Sequence, residues 1–341
     1  MDWFEELLGF KETSFDDVSS NISIRDNKLH SLVNGKTYDI GRFNLISLES
    51  LREETKKNFN KAKYRKISCL SIVEGNVQTF LSAPENNNAL FQVASQFNML
   101  EMIDPEVTPE DGVTRYQYDK TQGPACAIAA GAATVFRNYF VPLNNAFGQR
   151  IDSQLDGLKE IGTYFSQMLD IPVSQLWEMK NGYALFDNDG ISRINDFLLT
   201  LDRDQYDLIK KKLLIGVHEN IEITRFNKSK NNMVTQVFCS AIPVTYNNIK
   251  TDLLEPFSRL ILEASYEATL LAGAINSIRY KSDSVYLTLL GGGAFGNDES
   301  WIISSIEKAI KETFRYGLDI KIICYDEPSI NLQNFVKSYS Q

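Results

Sequence analysis

The chain has 341 residues, 43% of them apolar and 23% charged, a composition that supports a globular fold with a substantial core. Its formal net charge of −9 argues against a nucleic-acid partner, because phosphate affinity comes from clustered Lys and Arg. No apolar run approaches the ~20 residues that span a bilayer, and Met1-Asp2-Trp3-Phe4-Glu5-Glu6 lacks the basic-then-apolar order of a signal peptide, so a soluble cytoplasmic protein without a membrane partner is expected.

A short amphipathic stretch over 3–10 precedes an expected hairpin of 28–33 and 37–43, turned at Asn34-Gly35, a dipeptide that tolerates positive φ at both turn positions. Ser50-Leu51-Arg52-Glu53 fits a capping box and opens a polar helix to about residue 63. From 66 onward strand-like and helix-like segments alternate, the mark of a layered α/β domain. Strands are expected at 67–73 and 89–97. They are followed by a helix at 124–136, rich enough in Ala and Gly for close packing, a helix at 155–169 and a helical pair within 191–214. Strands at 220–224 and 233–242 flank a polar loop at 227–232, and Pro243 ends the second of them. A long helix at 252–278, a strand at 284–290, a glycine-rich loop, a helix at 300–316 and a strand at 319–324 complete the pattern. The simplest organisation is an accessory segment over 1–64 and one main domain over 65–341.

Two groups of residues bear little chemistry. Cys69, Cys126, Cys239 and Cys324 are widely spaced in apolar segments and read as buried thiols; with His30 and His218 the only imidazoles, neither a metal site nor a cofactor is expected. Lys56-Lys57 and Lys210-Lys211-Lys212 read as solvated helix faces.

The loop Gly291-Gly292-Gly293-Ala294-Phe295-Gly296-Asn297-Asp298 stands between a strand and a helix, the context in which α/β folds present backbone N–H groups and a helix N-terminus to an anion. Three glycines without Cβ atoms let the main chain wrap a phosphate, although a flexible turn would look the same. No Lys-Ser/Thr follows as in a P-loop, and the spacing is not G-x-G-x-x-G.

With Thr288-Leu289-Leu290 before it and Trp301 behind it, this loop resembles the diphosphate loop of macrodomain-type ADP-ribose glycohydrolases, of the form G-x-G-A-F-G-N-D, and is also similar to that of poly(ADP-ribose) glycohydrolases. The resemblance places Gly291, Gly292, Gly293, Ala294, Gly296 and Asn297 on the diphosphate and Phe295 over the distal ribose. Ser71-Ile72-Val73-Glu74-Gly75-Asn76-Val77 and Phe91-Gln92-Val93-Ala94-Ser95-Gln96-Phe97-Asn98 resemble the two macrodomain strands that end in a Gly-Asp-Ile-like turn and an Asn-Ala-Ala-Asn-like segment. Asn76 then stands where the family has its adenine-binding aspartate, a departure that loses the charge, and Asn98, with Gln96 in the same segment, falls by the distal ribose. Residues 94–101 and 116–127 (Tyr-x-x-Asp-x-Thr-Gln-Gly-Pro-Ala-Cys-Ala) together resemble the divergent macrodomain family whose bacterial-effector members remove ADP-ribose from arginine of ubiquitin. The implied fold is a macrodomain-like three-layer α/β/α architecture with a mixed central sheet and an N-terminal extension. The implied partner is ADP-ribose or an ADP-ribosylated protein.

Cleaving an N-glycosidic bond at the distal ribose calls for one carboxylate that activates water or stabilises the oxocarbenium-like centre, and a second that serves the leaving group. The acidic segment 99–123 supplies candidates. Asp119 comes first because it sits at the entrance to the small-residue helix, whose N-terminal field favours its charge, although a plain helix cap is the alternative. Asp111 and Glu101 compete for the second role, and Gln122 and Gly123 offer donors to ribose or phosphate. Glu263, Tyr266, Glu267 and Thr269 lie on a helix apolar enough to be core, with Glu267 able to face the site by resemblance, and Tyr246 is a candidate adenine contact. The leading expectation is a hydrolase releasing arginine-linked ADP-ribose. A non-catalytic ADP-ribose reader and a scaffold without a nucleotide are the alternatives.

Overall fold

A computed structural model describes residues 1–59, 67–143, 146–225 and 232–339. Seven strands form its main sheet: β1 (Arg42–Ser47), β2 (Cys69–Glu74), β3 (Leu90–Ala94), β4 (Leu214–Glu222), β5 (Met233–Cys239), β6 (Ser284–Leu287) and β7 (Asp319–Cys324). Five helices matter most here: α1 (Leu48–Phe59), α2 (Gln122–Ala129), α3 (Gly131–Tyr139), α4 (Thr251–Tyr280) and α5 (Glu299–Thr313). The strand order is β1-β4-β5-β3-β6-β7-β2. Strands β5, β3, β6, β7 and β2 run parallel, and β4 is antiparallel to β5 and β1, so the sheet is mixed.

Strand alternation sends successive side chains into two apolar layers. Leu90, Val285, Leu287, Ile320 and Ile322 pack with residues of α1, α4 and α5 on one face. Phe91, Val93, Tyr286 and Ile323 pack with the small residues of α2 and α3 on the other. The outcome is the expected three-layer α/β/α arrangement. A third cluster joins Trp3, Phe4, Leu7 and Phe15 of the N-terminal segment to α3 and to Val113 and Tyr116. No helix of the described residues is long and apolar enough to cross a membrane.

Local details differ from expectation for identifiable reasons. The N-terminal sheet has three strands, Ile22–Arg25, Lys28–Ser31 and Thr37–Asp39. Its tight two-residue turn falls at Asp26 and Asn27, both at positive φ, while the Asn34-Gly35 connection is wider and uses positive φ at Gly35 alone. Arg42–Ser47, within the expected accessory segment, is the edge strand of the main sheet, and the boundary at 64/65 lies outside the described residues. The same holds for the end of the polar helix beyond 59 and for 227–231 of the polar loop. Helix α1 starts at Leu48, with Ser47 Oγ accepting the Ser50 N–H at 3.1 Å, so the capping hydroxyl is Ser47 and not Ser50. Strand β4 starts at Leu214, earlier than the 220 expected, because it is buried on both faces and shows no alternation. The helix expected at 124–136 is broken at Ala130, where Thr224 accepts the Gly131 N–H and donates its own N–H to the Ala129 carbonyl. A final helix, Ile330–Ser338, had no counterpart among the expected elements. Of the cysteines, Cys126, Cys239 and Cys324 are buried, but Cys69 begins an edge strand and is exposed.

One substitution of side chain for main chain shapes the sheet. The ladder between β3 and β6 covers only Leu90 and Phe91 and then stops. Beyond it, the Gln122 amide at the start of α2 donates to the Gln92 carbonyl at 3.0 Å and accepts the Ala94 N–H at 3.1 Å. A side chain thus satisfies the backbone groups that a longer β6 would have paired. The Gln92 amide does the same in the opposite direction, accepting the Thr288 N–H at 3.2 Å beyond the end of β6. Gln122→Met should leave one carbonyl and one N–H of β3 without partners and cost about 2–4 kcal/mol. Urea unfolding should show that loss, and amide exchange at Ala94 should accelerate far more than at Leu90.

Candidate active site

Where β3 and β6 part, their following helices lie on opposite faces of the sheet, and a crevice opens at the strands' carboxyl ends. It has two connected regions. The smaller, a cavity of about 160 Å³, is walled by Gln96, Glu101, Ile103, Tyr183, Tyr246 and Phe295. The larger, a groove of about 880 Å³, runs past Asn76 and Gln78 to Tyr325 and the residues that follow it. Asp119, Thr121, Gln122, Thr288, Leu289 and Gly293 line both regions and form the waist between them. Three sequence segments singled out above therefore meet in one cleft.

The glycine loop forms one side of the waist. Gly291 and Gly296 take positive φ, and a Cβ would lie 2.5 Å from Ala241 Cβ at the first and 2.3 Å from Thr245 Cγ2 at the second. At Gly293 a Cβ would meet nothing, so this backbone faces open space. Asn297 Nδ2 donates to the Ile242 carbonyl at 2.8 Å, and its N–H to Gly291 O at 2.9 Å, holding the loop closed. Tyr266 fastens the loop's beginning by accepting the Leu290 N–H and donating to the Thr288 carbonyl, both at 2.8 Å. Among the described residues the N–H groups of Gly291, Gly293, Ala294 and Phe295 have no acceptor, which makes the loop a nest of donors. Gly292 and Asn297 face the groove, whereas Gly291, Ala294 and Phe295 face the cavity. Gly296 lines neither region.

Opposite the loop, α2 begins at the cleft. Gly123 sits so close to β3 that a Cβ would be 2.1 Å from the Ala94 carbonyl oxygen. Asp119 precedes the helix, lines cavity and groove, and accepts the Thr121 N–H at 2.8 Å. Gln122 is spent on β3, so its side chain holds the strand and its position lines the waist.

Glu101 is the acid of the cavity. It is only 2% exposed, and the Arg137 guanidinium lies 3.4 Å from its carboxylate. Burial pushes the carboxyl up, Arg137 pulls it partly back, and it ends at about 7. Burial likewise lowers Arg137, which still carries its charge and lies with Cζ 3.8 Å from the centre of the Phe238 ring. A carboxyl poised near neutrality in a cleft suits a general acid.

Other expected residues fall elsewhere. Asn98 is fully buried, its Oδ1 accepting the Leu100 N–H and its Nδ2 donating to Gln154, so it shapes the turn before Glu101 and does not line the cleft. Gln96 lines the cavity, but its Oε1 is taken by the Met102 N–H at 2.7 Å. Asp111 accepts from the N–H and hydroxyl of Thr108 and lies outside both regions. Asn76 lines the groove and caps the helix Val77–Ser82 through the Gln78 N–H. Glu267 turns away from the cleft to Arg52 at 2.8 Å and Lys210 at 3.2 Å, and Lys210, expected to be solvated, is buried by this network. Glu263 joins the same network, and Thr269 holds the Gln92 amide. Tyr246 lies in the cavity with Glu101, at the far end from Asn76.

Tyr183 and Tyr325 escaped sequence reasoning. Tyr183 sets its ring, tilted by about half a right angle, with its centre 5.4 Å from that of Phe295 and 5.0 Å from that of Tyr246, making an aromatic wall. It follows the hairpin turn Asn181-Gly182, both at positive φ, so the dipeptide that signals a tight hairpin was present in the sequence. Tyr325, 74% exposed on the groove, carries no local signal beyond being an aromatic residue after a strand.

No protein-family model and no curated protein matches this chain. Among solved structures it is similar to poly(ADP-ribose) glycohydrolase from Deinococcus radiodurans in complex with ADP-ribose, at 9% identity and a TM-score of 0.44 over 87% of this chain and 92% of that one. It is also similar to the poly(ADP-ribose) glycohydrolase from Thermomonospora curvata, at 8% identity and a TM-score of 0.43 over 95% and 94%. At these values the likeness assigns neither ligand nor reaction to this chain.

The raised Glu101 carboxyl has a thermodynamic signature. Between its unfolded value near 4.5 and its folded value of about 7, the folded state holds the extra proton, so stability is greatest below the lower value and is lost as pH rises through the higher. Wild-type protein should lose roughly 3 kcal/mol of unfolding free energy between pH 5 and 8 from this group. Glu101→Gln, less stable overall because Arg137 loses its counter-charge, should lack that decline in denaturant titrations across the same range.

Proposed function

We propose that this protein is a macrodomain-like ADP-ribosyl hydrolase that removes ADP-ribose from arginine side chains of modified proteins by cleaving the N-glycosidic bond at the distal ribose. The observation that carries this reading is the two-ended cleft, with unengaged backbone donors at its waist and a buried, protonatable Glu101 at the smaller end, away from Asn76. A nucleoside diphosphate sugar has the same plan. Its diphosphate suits the Gly293 to Phe295 nest and the start of α2, its nucleoside suits the groove beside Asn76 and Tyr325, and its distal ribose suits the aromatic cavity.

In that placement Glu101 gives its proton to the departing guanidine nitrogen as the C1″–N bond breaks. Water adds at C1″, and Asp119 takes the proton it releases. Phe295 and Tyr183 wall the ribose and exclude other water. Asp104, which follows the cavity-lining Ile103 and whose charge is felt at the Tyr183 hydroxyl, favours a cationic guanidinium there, whereas Glu106 is paired with Lys180. The reaction needs Glu101 protonated, so turnover should fall as pH rises through about 7.

Calorimetry with ADP-ribose tests the binding half; no heat of binding would remove the proposal. Asp119→Asn and Glu101→Gln should each retain binding within a few-fold and lose about 10²-fold or more in release of ADP-ribose from an arginine-modified protein. Binding by the wild type without turnover on arginine-, serine- or glutamate-linked substrates would identify a reader instead.

A further inference from the structure

Residues 3–12 do not line the cleft, yet they hold the turn from which Tyr116 reaches Glu101. Glu12 is the centre of this contact. One carboxylate oxygen accepts the Val113 N–H at 2.8 Å and the Tyr139 hydroxyl at 2.7 Å, and the other accepts the Thr114 N–H at 2.6 Å. Trp3 Nε1 donates to the Thr114 carbonyl at 3.2 Å. Gly112 admits the carboxylate, since a Cβ there would lie 2.4 Å from Glu12 Oε2. Two residues beyond Thr114, the buried Tyr116 hydroxyl accepts the Glu101 N–H at 3.0 Å. Tyr139 stands on α3 two residues beyond Arg137, so Glu12 touches the elements that carry both neighbours of the acid.

We propose that the N-terminal segment is a clamp for the cleft acid, with Glu12 as a positioning residue that acts on Glu101 through the 113–116 turn and Tyr116. The clamp rests on the assignment of Glu101 as the acid of the proposed reaction. The charged and titratable groups facing Glu101 are Arg137 from α3, Tyr116 from the Thr114–Tyr118 turn and Cys126 from α2. The Tyr116 hydroxyl, held against the Glu101 N–H, also favours the ionised form of the nearby Glu101 carboxyl. Glu12 satisfies three donors with a carboxylate; an amide in its place sets an NH₂ against at least one of them. The turn then loosens and Tyr116 loses its hold.

The test is a ¹³C NMR titration of glutamate-labelled protein, with the Glu101 carboxyl resonance identified by its absence in Glu101→Gln. Glu12→Gln should raise the Glu101 midpoint by about half a pH unit or more. It should also lower kcat about tenfold while KM stays within about twofold. A folded Glu12→Gln with an unmoved midpoint overturns the clamp, whatever happens to its stability. Should Glu12→Gln not fold, Trp3→Phe, which removes the other tether, is titrated with the same two outcomes. A wild type without turnover but with a Glu101 midpoint that moves in Glu12→Gln would sink the hydrolase and leave the clamp standing.

Discussion

The parting of β3 and β6 is the constraint on which the cleft depends. Two parallel strands separate only if the backbone groups they stop sharing find other partners, because an unpaired buried N–H or carbonyl costs as much as several good contacts return. Here the Gln122 and Gln92 side chains supply those partners, one from each side of the gap. The separation brings the start of α2 to the floor of the crevice and leaves the glycine loop as its opposite wall. It also explains the short contact at Gly123, since the Gln122 amide reaches β3 only if α2 begins against the Ala94 carbonyl.

The acid is held by a different logic. Glu101 sits in apolar surroundings beside one guanidinium, and at 3.4 Å that pair does not offset the burial of both groups. The carboxyl consequently stays near neutrality instead of ionising fully. Such a group is costly to the fold and is held in place by packing from several directions: the Asn98 turn, Tyr116, Arg137 on α3, and behind them the N-terminal segment. Stability is given up at the site and recovered in the apolar layers on either side of the sheet.

The two ends of the cleft differ in character. The cavity is small and lined by three aromatic rings and Glu101. The groove is larger and runs along residues 325–329. Phe295 and Asn297 belong to the same loop but line opposite ends.

Sequence alone determined what local chemistry controls. Alternating apolar segments specified the layered α/β class, and a strand, three glycines and a helix in succession specified a tight loop with exposed backbone N–H groups, because both depend on neighbours within a few residues. The resemblance in 94–101 and 116–127 marked the segments that meet in the cleft, and Glu101 and Asp119 were among the acids proposed. Tertiary structure decided which of those acids line the cleft. Asp111, equally acidic and nearby in sequence, is turned onto Thr108, Asn98 is consumed in a turn, and Glu267 faces Arg52 across the opposite layer. Only the fold set Arg137 against Glu101, Gln122 against β3 and Glu12 behind Tyr116. Those pairs join residues 28 to more than 100 positions apart, through side-chain hydrogen bonds that leave no periodicity in the chain to read.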